Sequence, residues 1–349
     1  MTYLVSGNAP TLYPVETYFG IVCLSDEQVI EIPFQYPLSG EWGNPVSSVF
    51  EEPKELLAPQ KIDVVYLSII EGIFYSVEAD VSKDIFRARW NQIKESTGND
   101  NTPYVVVGFA PYGLVSLWIF SCHKSIFVSS FQAARIIVNM SDFRSPNTAL
   151  RLEDVCQRYI NNDVRVKENF EKNGLPPRHL FDKYMQQFTY RYLLLFENWN
   201  KDKEEWQEYE EEKKERIPEF DYIEEALFDG THDKLHDGGL MNYHEAGKPK
   251  KLAVQWNIKK SEYTAYFWFE DEEIRSVFDR FYGAHPETKT DFMIRIDSEK
   301  NKYELALYRY GLKEPQVISE SVYQLLVFKN KFEYYRSENY DQPKGAWIW

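Results

Sequence analysis

Cysteine is nearly missing from this chain. Cys23, Cys122 and Cys156 are the only three among 349 residues, far apart and in no C-x-x-C spacing. An odd number at such intervals argues against a disulfide framework or a cysteine zinc site and fits a reduced, cytoplasmic compartment. Long apolar runs are missing too: no 18-residue stretch reads as a membrane span. The opening Met1-Thr-Tyr-Leu-Val-Ser-Gly-Asn-Ala-Pro10 has neither the basic start nor the apolar run of a secretory signal. Phe19-Gly-Ile-Val-Cys23 has a trace of a lipoprotein cleavage site, against which Glu16, Pro10 and Pro14 weigh. Positive charge is short, with 40 Lys and Arg against 55 Asp and Glu, a net −15. That balance disfavours binding to nucleic-acid backbones or anionic membranes, both of which require cationic side chains.

The usual catalytic signatures are absent as well. No G-x-S-x-G elbow, no G-x-x-x-x-G-K-[ST] loop and no H-E-x-x-H occur. Gly108-Phe-Ala-Pro-Tyr-Gly113 has two glycines, but between two apolar runs rather than between a strand and a helix, so it does not read as a phosphate cradle. No enzyme activity and no cofactor are expected.

Aromatic residues are abundant at 16%, with 25 Tyr, 23 Phe and 9 Trp. They favour strands, and Tyr and Trp also anchor interfaces. Two stretches about 190 residues apart echo each other. Lys61-Ile-Asp-Val-Val-Tyr-Leu-Ser68, Phe74-Tyr-Ser-Val-Glu78 and Ser82-Lys-Asp-Ile-Phe-Arg-Ala-Arg-Trp90 form the first. Lys251-Leu-Ala-Val-Gln-Trp-Asn257, Tyr263-Thr-Ala-Tyr-Phe-Trp-Phe269 and Glu270 to Tyr282 form the second, and a strand pair follows each, from Tyr104 and from Asp291. Alternation predicts two hairpins per copy, one turning near Glu71-Gly72 and another at Pro111-Tyr-Gly113, with a helix between them. Ser82 and Asp271 are the expected caps.

Elsewhere, residues 1 to 60 read as strands and proline-punctuated loops, and Ser130 to Val138 as a short helix. From Asn147 to Tyr222 the period turns helical: Leu150 to Tyr159 is one helix, and Phe181, Tyr184, Met185, Phe188, Tyr192 and Leu195 sit at helical spacing in a longer one ending before Pro218. Asp229 to Gly247 reads as a loop. The expected fold is α+β: two antiparallel β-rich units, each roughly ββαββ, joined by a helical, acidic middle. The corresponding domains are 1–146, 147–248 and 249–349.

Three features invite a functional reading. Residues 197–225 hold thirteen carboxylates against five Lys or Arg, a net −8. Trp206 and Tyr209 stand within that run beside Glu210, Glu211 and Glu212, with Glu224 and Glu225 at its end. A solvated face is the plain reading; docking on a basic partner, with the aromatics as anchors, is the sharper one. His232, His236 and His244 cluster near Asp233 and Asp237 and are weak zinc candidates, which Gly230, Gly238 and Gly239 weigh against by favouring a loop over a helix. Cys122-His123 are adjacent in sequence, which is not the spatial adjacency that a nucleophile and its base need.

Val65-Tyr-Leu-Ser68, Glu71, Phe74-Tyr75 and Val107-Gly-Phe-Ala-Pro-Tyr-Gly-Leu-Val-Ser-Leu-Trp118 resemble the bacterial domain-of-unknown-function family 2931, whose members carry a similar V-G-x-A-P-x-G-x-V-x-L-W hairpin. The resemblance covers about residues 50 to 140. Lys251 to Trp256 is similar to the start of a second β-rich part in some larger relatives. The resemblance implies no catalytic residues. Some similar proteins are lipoproteins and others accompany secreted toxins, which implies an immunity role with a toxin encoded nearby as partner. The competing expectation is a small-ligand binder or hydrolase with a site between the two β-rich units.

Overall fold

Alternating apolar and polar residues become strand over most of the chain. The computed structural model describes residues 1–349 apart from 26–27, 34–36, 47–53, 98–100, 145–150, 197–218, 237–241, 259–260, 284–287, 298–301, 310–314, 320, 330–332 and 337–349. Strand accounts for 51% and helix for 23% of the structure, which overturns the α+β expectation in favour of a mainly β protein. Two units are present: Met1–Met185 with Asp229–Thr231, and Gln186–Phe228 with His232–Ala346.

The first unit contains β1 (Thr2–Asn8), β2 (Val15–Cys23), β3 (Val29–Glu31), β4 (Lys54–Glu55), β5 (Lys61–Ser68), β6 (Ile73–Asp80), β7 (Tyr104–Phe109), β8 (Leu114–Ser121), β9 (Lys124–Gln132) and β10 (Ala134–Ile136). One sheet runs β10-β6-β5-β2-β3 and the other β9-β8-β7-β1-β4. Helix α1 (Lys83–Thr97) follows β6, and the Ser82 hydroxyl accepts from the Ile85 N–H at its start. Val64 and Tyr66 of one sheet, Val105, Val107 and Leu117 of the other, and Phe86 and Trp90 of α1 share one core. The central strands β7 and β8 are buried on both faces and therefore read as unbroken apolar runs. The short helices α2 (Met140–Phe143), α3 (Leu152–Asn162), α4 (Val164–Asn173) and α5 (Leu180–Tyr184) complete this unit.

The second unit contains β11 (Phe188–Phe196), β12 (Glu219–Leu227), β13 (His232–His236), β14 (His244–Ala246), β15 (Pro249–Ile258), β16 (Ser261–Phe269), α6 (Asp271–Tyr282), β17 (Thr290–Asp297), β18 (Lys302–Tyr308), β19 (Gln316–Ile318), β20 (Ser321–Lys329) and β21 (Glu333–Arg336). Its strand orders are β21-β20-β16-β15-β12-β13 and β14-β11-β17-β18-β19. Helix α6 buries Ile274, Val277 and Phe278 on one side.

Adding ten to each strand number of the first unit reproduces the neighbours found in the second. The correspondence holds in detail. β1 pairs in parallel with β7, Leu4 opposite Tyr104, and β11 with β17, Tyr190 opposite Thr290, at the same separation of 100 residues. A bulge on β2 lies opposite Tyr66 and Val65, and one on β12 lies opposite Trp256 and Gln255. Tyr66 and Trp256 are 190 residues apart, as are Lys61 and Lys251. The repeating element is thus not an antiparallel ββαββ unit: it has ten strands, with one parallel pair in each copy.

Three local expectations are corrected. Phe188, Tyr190 and Tyr192 lie on strand β11 rather than continuing a helix, because residues four apart share a face in either conformation, and Tyr, Thr and Phe favour the strand. Ser130 to Val138 includes the end of β9 and all of β10 rather than a helix. The stretch expected to be a loop from Asp229 to Gly247 contains β13 and β14. The joining helical middle is not found as such: α3 to α5 lie in the first unit, and 219–227 is strand β12. No described helix is long and apolar enough to cross a membrane.

Candidate functional site

The turn between β7 and β8 is strained and heavily supported. Tyr112 has φ 63°, a left-handed conformation that a side chain makes unfavourable by about 1 kcal/mol or more. Its N–H donates to Glu71 Oε2 at 2.9 Å, and Glu71 Oε1 accepts from the Tyr75 hydroxyl at 2.8 Å. The Gln132 amide donates to Tyr112 O at 2.7 Å, and the Tyr112 hydroxyl donates to Pro176 O at 2.6 Å. Gly113, at φ 83°, places its carbonyl to accept from Ala133 N–H at 2.7 Å. Tyr66 reaches from the facing sheet to donate to Ala110 O at 2.8 Å. Three elements distant in sequence thus hold one turn.

Beside this turn lies a cleft of about 430 Å³, within the size range of ligand sites. Tyr112, Gln132, Arg135, Arg178, Phe181 and Asp182 are among the residues that line it. Arg135 and Arg178 are exposed, whereas Phe181 is buried. Burial and then the Glu71 charge push the Tyr112 hydroxyl up, while Arg178 and Arg135 oppose them. The Tyr75 hydroxyl is also pushed up, first by burial and then by its bond to Glu71. Both phenols therefore stay protonated and act as donors. Two guanidinium groups next to aromatic rings suit a carboxylate attached to an apolar body, and Asp182 suits a cation.

A sequence profile describing a protein of unknown function, DUF2931, matches residues 1–177. The chain belongs to the DUF2931 family. The DUF2931 match takes in the β7–β8 hairpin, Glu71 and Arg135, and it ends one residue before Arg178. No curated protein and no solved structure matches this DUF2931 chain.

The residues singled out by sequence are dispersed in this DUF2931 protein. Trp206, Tyr209, Glu210, Glu211 and Glu212 lie outside the described residues. Strand alternation sends Glu224 to the surface and Glu225 inward on β12. Glu225 is 3% exposed and accepts from the Tyr192 hydroxyl at 2.5 Å, so it offers a partner no surface in this conformation. His232 and His236 are on β13 and His244 is on β14, in different sheets. Among the described residues, no group of three or more His, Cys, Asp or Glu is placed to hold a metal ion. Cys122 and His123, at φ 50° and 67°, form the two-residue turn joining β8 to β9. Sequence reading missed the roles of Glu71, Arg135 and Arg178. Glu71 stood out in sequence only at its own turn and in the family resemblance, and the turn chemistry of Pro111-Tyr-Gly113 located the tip but not its supports.

A buried polar cluster occupies the second unit. Tyr190 donates to Gly247 O at 2.8 Å, and His244 packs its ring 5.4 Å from that of Tyr190. His244 Nδ1 lies 3.3 Å from Asn242 O, and its Nε2 is buried without a hydrogen-bond partner among the described residues. Burial lowers its pKa, opposed by the Asn242 carbonyl and the Asp233 charge. The neutral ring is the favoured form, with Nδ1 as donor; protonation would add a second N–H where nothing accepts it. The folded pKa lies below the ordinary 6.5, so the stability from the neutral ring is complete above about pH 6.5 and is lost as pH falls towards the folded value. Thermal melts at pH 7.5 and pH 5 test this. The fall in melting temperature should be larger in the native protein than in His244→Phe, and equal falls would assign the acid sensitivity elsewhere.

Proposed function

We propose that this DUF2931 chain acts in the cytoplasm by binding another protein without altering it chemically, as an immunity protein that occludes a secreted toxin. The cleft beside the β7–β8 turn carries the reading: a rigid, over-supported turn presents Arg135, Arg178 and Tyr112 to whatever docks there. Arginine and tyrosine in such a setting are typical interface anchors. The net charge of −15 gives the rest of the surface a field that attracts a basic partner. In this reading the acidic run at 197–225 speeds association, and the cleft holds an acidic group of the partner. The link to a toxin rests on the company kept by similar proteins.

The test is a binding measurement between the full chain and the product of the adjacent gene. Charge reversal of both Arg135 and Arg178 to Glu should weaken binding by about a hundredfold or more, mainly through faster dissociation. Reversal of Glu210, Glu211 and Glu212 to Lys should instead slow association and flatten its salt dependence. If the native chain does not bind that product, the immunity reading fails.

The cleft volume favours one further reading, a small carboxylate-bearing ligand. Native mass spectrometry of the protein from its own cells would show a bound mass that the double Arg variant lacks.

A further inference from the structure

The repeat between the two units assigns a use to the outer edge of β10. Tyr66 pairs with Tyr75 in the first unit, and Trp256 pairs with Tyr263 in the second. Tyr75 of β6 therefore corresponds to Tyr263 of β16. Arg135 lies opposite Tyr75, and Val327 lies opposite Tyr263. Carried along the strands, Ala134, Arg135 and Ile136 of β10 and Ile137, just past its end, correspond to Leu326, Val327, Phe328 and Lys329. Those four residues of β20 are the ones that pair with β21 on its other edge, Leu326 with Arg336 through Lys329 with Glu333. In the first unit no described strand lies beyond β10. Ile137, at the end of this edge, is 97% exposed, and Ala134 and Arg135 are also exposed.

We propose that the outer edge of β10, at Ala134–Ile137, accepts an extended segment of a partner protein as an added antiparallel strand, in the place that β21 takes beside β20. This rests on the reading of the chain as a protein binder and locates part of the interface. An open edge presents unpaired N–H and C=O groups and serves as a template for strand addition. The charge on the edge selects the occupant. Two copies of this chain paired antiparallel about Arg135 would set the two guanidinium groups opposite each other, which is unfavourable, and each copy carries −15. A segment with an acidic residue opposite Arg135 has the complementary charge. Arg135 also lines the cleft, so the side chains of the added strand would enter it while its backbone pairs with β10.

The experiment selects binders from a displayed library of random twelve-residue peptides on the full-length protein and maps them by hydrogen exchange. Expected are peptides with strand-like alternation and an acidic residue, which slow exchange at Ala134–Ile137. Arg135→Glu, an exposed change, should weaken them roughly tenfold. Each peptide is also made in two forms, N-methylated at odd or at even positions. Strand addition requires that one form loses binding and the other keeps it, because successive N–H groups point to opposite edges. Failure to enrich any peptide, protection confined to other segments, or indifference to methylation parity would each overturn the proposal. Binding of the adjacent gene product with unchanged exchange at β10 would sink the strand acceptor while leaving the protein-binding function intact. Protection of β10 by peptides with no binding of that product would do the reverse. Paired protection of β10 in a dimer of the chain alone would identify a second copy as the occupant and overturn the choice of partner.

Discussion

Replacing Arg144 by alanine is expected to cost the first unit about 3–5 kcal/mol, a large share of the roughly 5–15 kcal/mol that holds a domain folded. Glu16 on β2 is fully buried, and its carboxylate is held by both terminal nitrogens of Arg144, each at 2.5 Å. The guanidinium also lies 4.3 Å from the centre of the Phe143 ring. Alanine would leave an anion in the protein interior without its counter-charge, and that desolvation cost, rather than the lost attraction, sets the magnitude. A double variant separates the two: Glu16→Gln with Arg144→Met removes both charges and should recover most of the loss. Urea denaturation followed by tryptophan fluorescence measures each protein. A double variant as unstable as the single one would refute the explanation.

Gly108→Ala is expected to destabilise the same unit by about 3 kcal/mol, at the severe end for one added methyl group. The glycine lies on β7, within the residues matched by the DUF2931 profile. A Cβ there would overlap Trp118 and come within 2.9 Å of Trp42. Neither ring has room to move. Trp118 is fully buried and donates to Asp229 O at 2.9 Å, and the two indoles pack edge to face at 4.6 Å. Gly108→Ala combined with Trp118→Phe should be less destabilised than the sum of the two changes, because the smaller ring makes way for the methyl. Additive losses would mean that the indole is not the obstacle. Near-ultraviolet circular dichroism would report the displaced tryptophans directly.

Short-range chemistry was readable from sequence. The hairpins at Glu71-Gly72 and Pro111-Tyr-Gly113 follow from turn residues between alternating runs, and α6 follows from Ile274, Val277, Phe278 and Phe281 at helical spacing. The turn to β11 was ambiguous because Phe188 and Tyr192 fit both periods. The candidate site was mostly hidden. Glu71 and Tyr112 are 41 residues apart, and Tyr112 and Pro176 are 64 apart. No local pattern announces such a meeting. Glu224 and Glu225 look alike in sequence, yet alternation places one in water and the other against Tyr192, and which is which depends on the register of β12 with β15.

The parallel pairing of β1 with β7 sets a timetable for synthesis. Leu4 has no partner until Tyr104 has been made, and Tyr190 waits equally long for Thr290. At about 5–20 residues per second, each unit's first strand stays without that neighbour for roughly 5–20 s after leaving the ribosome. The β5–β6 and β15–β16 hairpins close over much shorter loops and can form during the delay. Twice in one chain, then, a strand spends seconds exposed before its parallel neighbour in the sheet exists, with Tyr3 on β1 and Phe188, Tyr190, Tyr192 and Phe196 on β11 among the side chains left waiting.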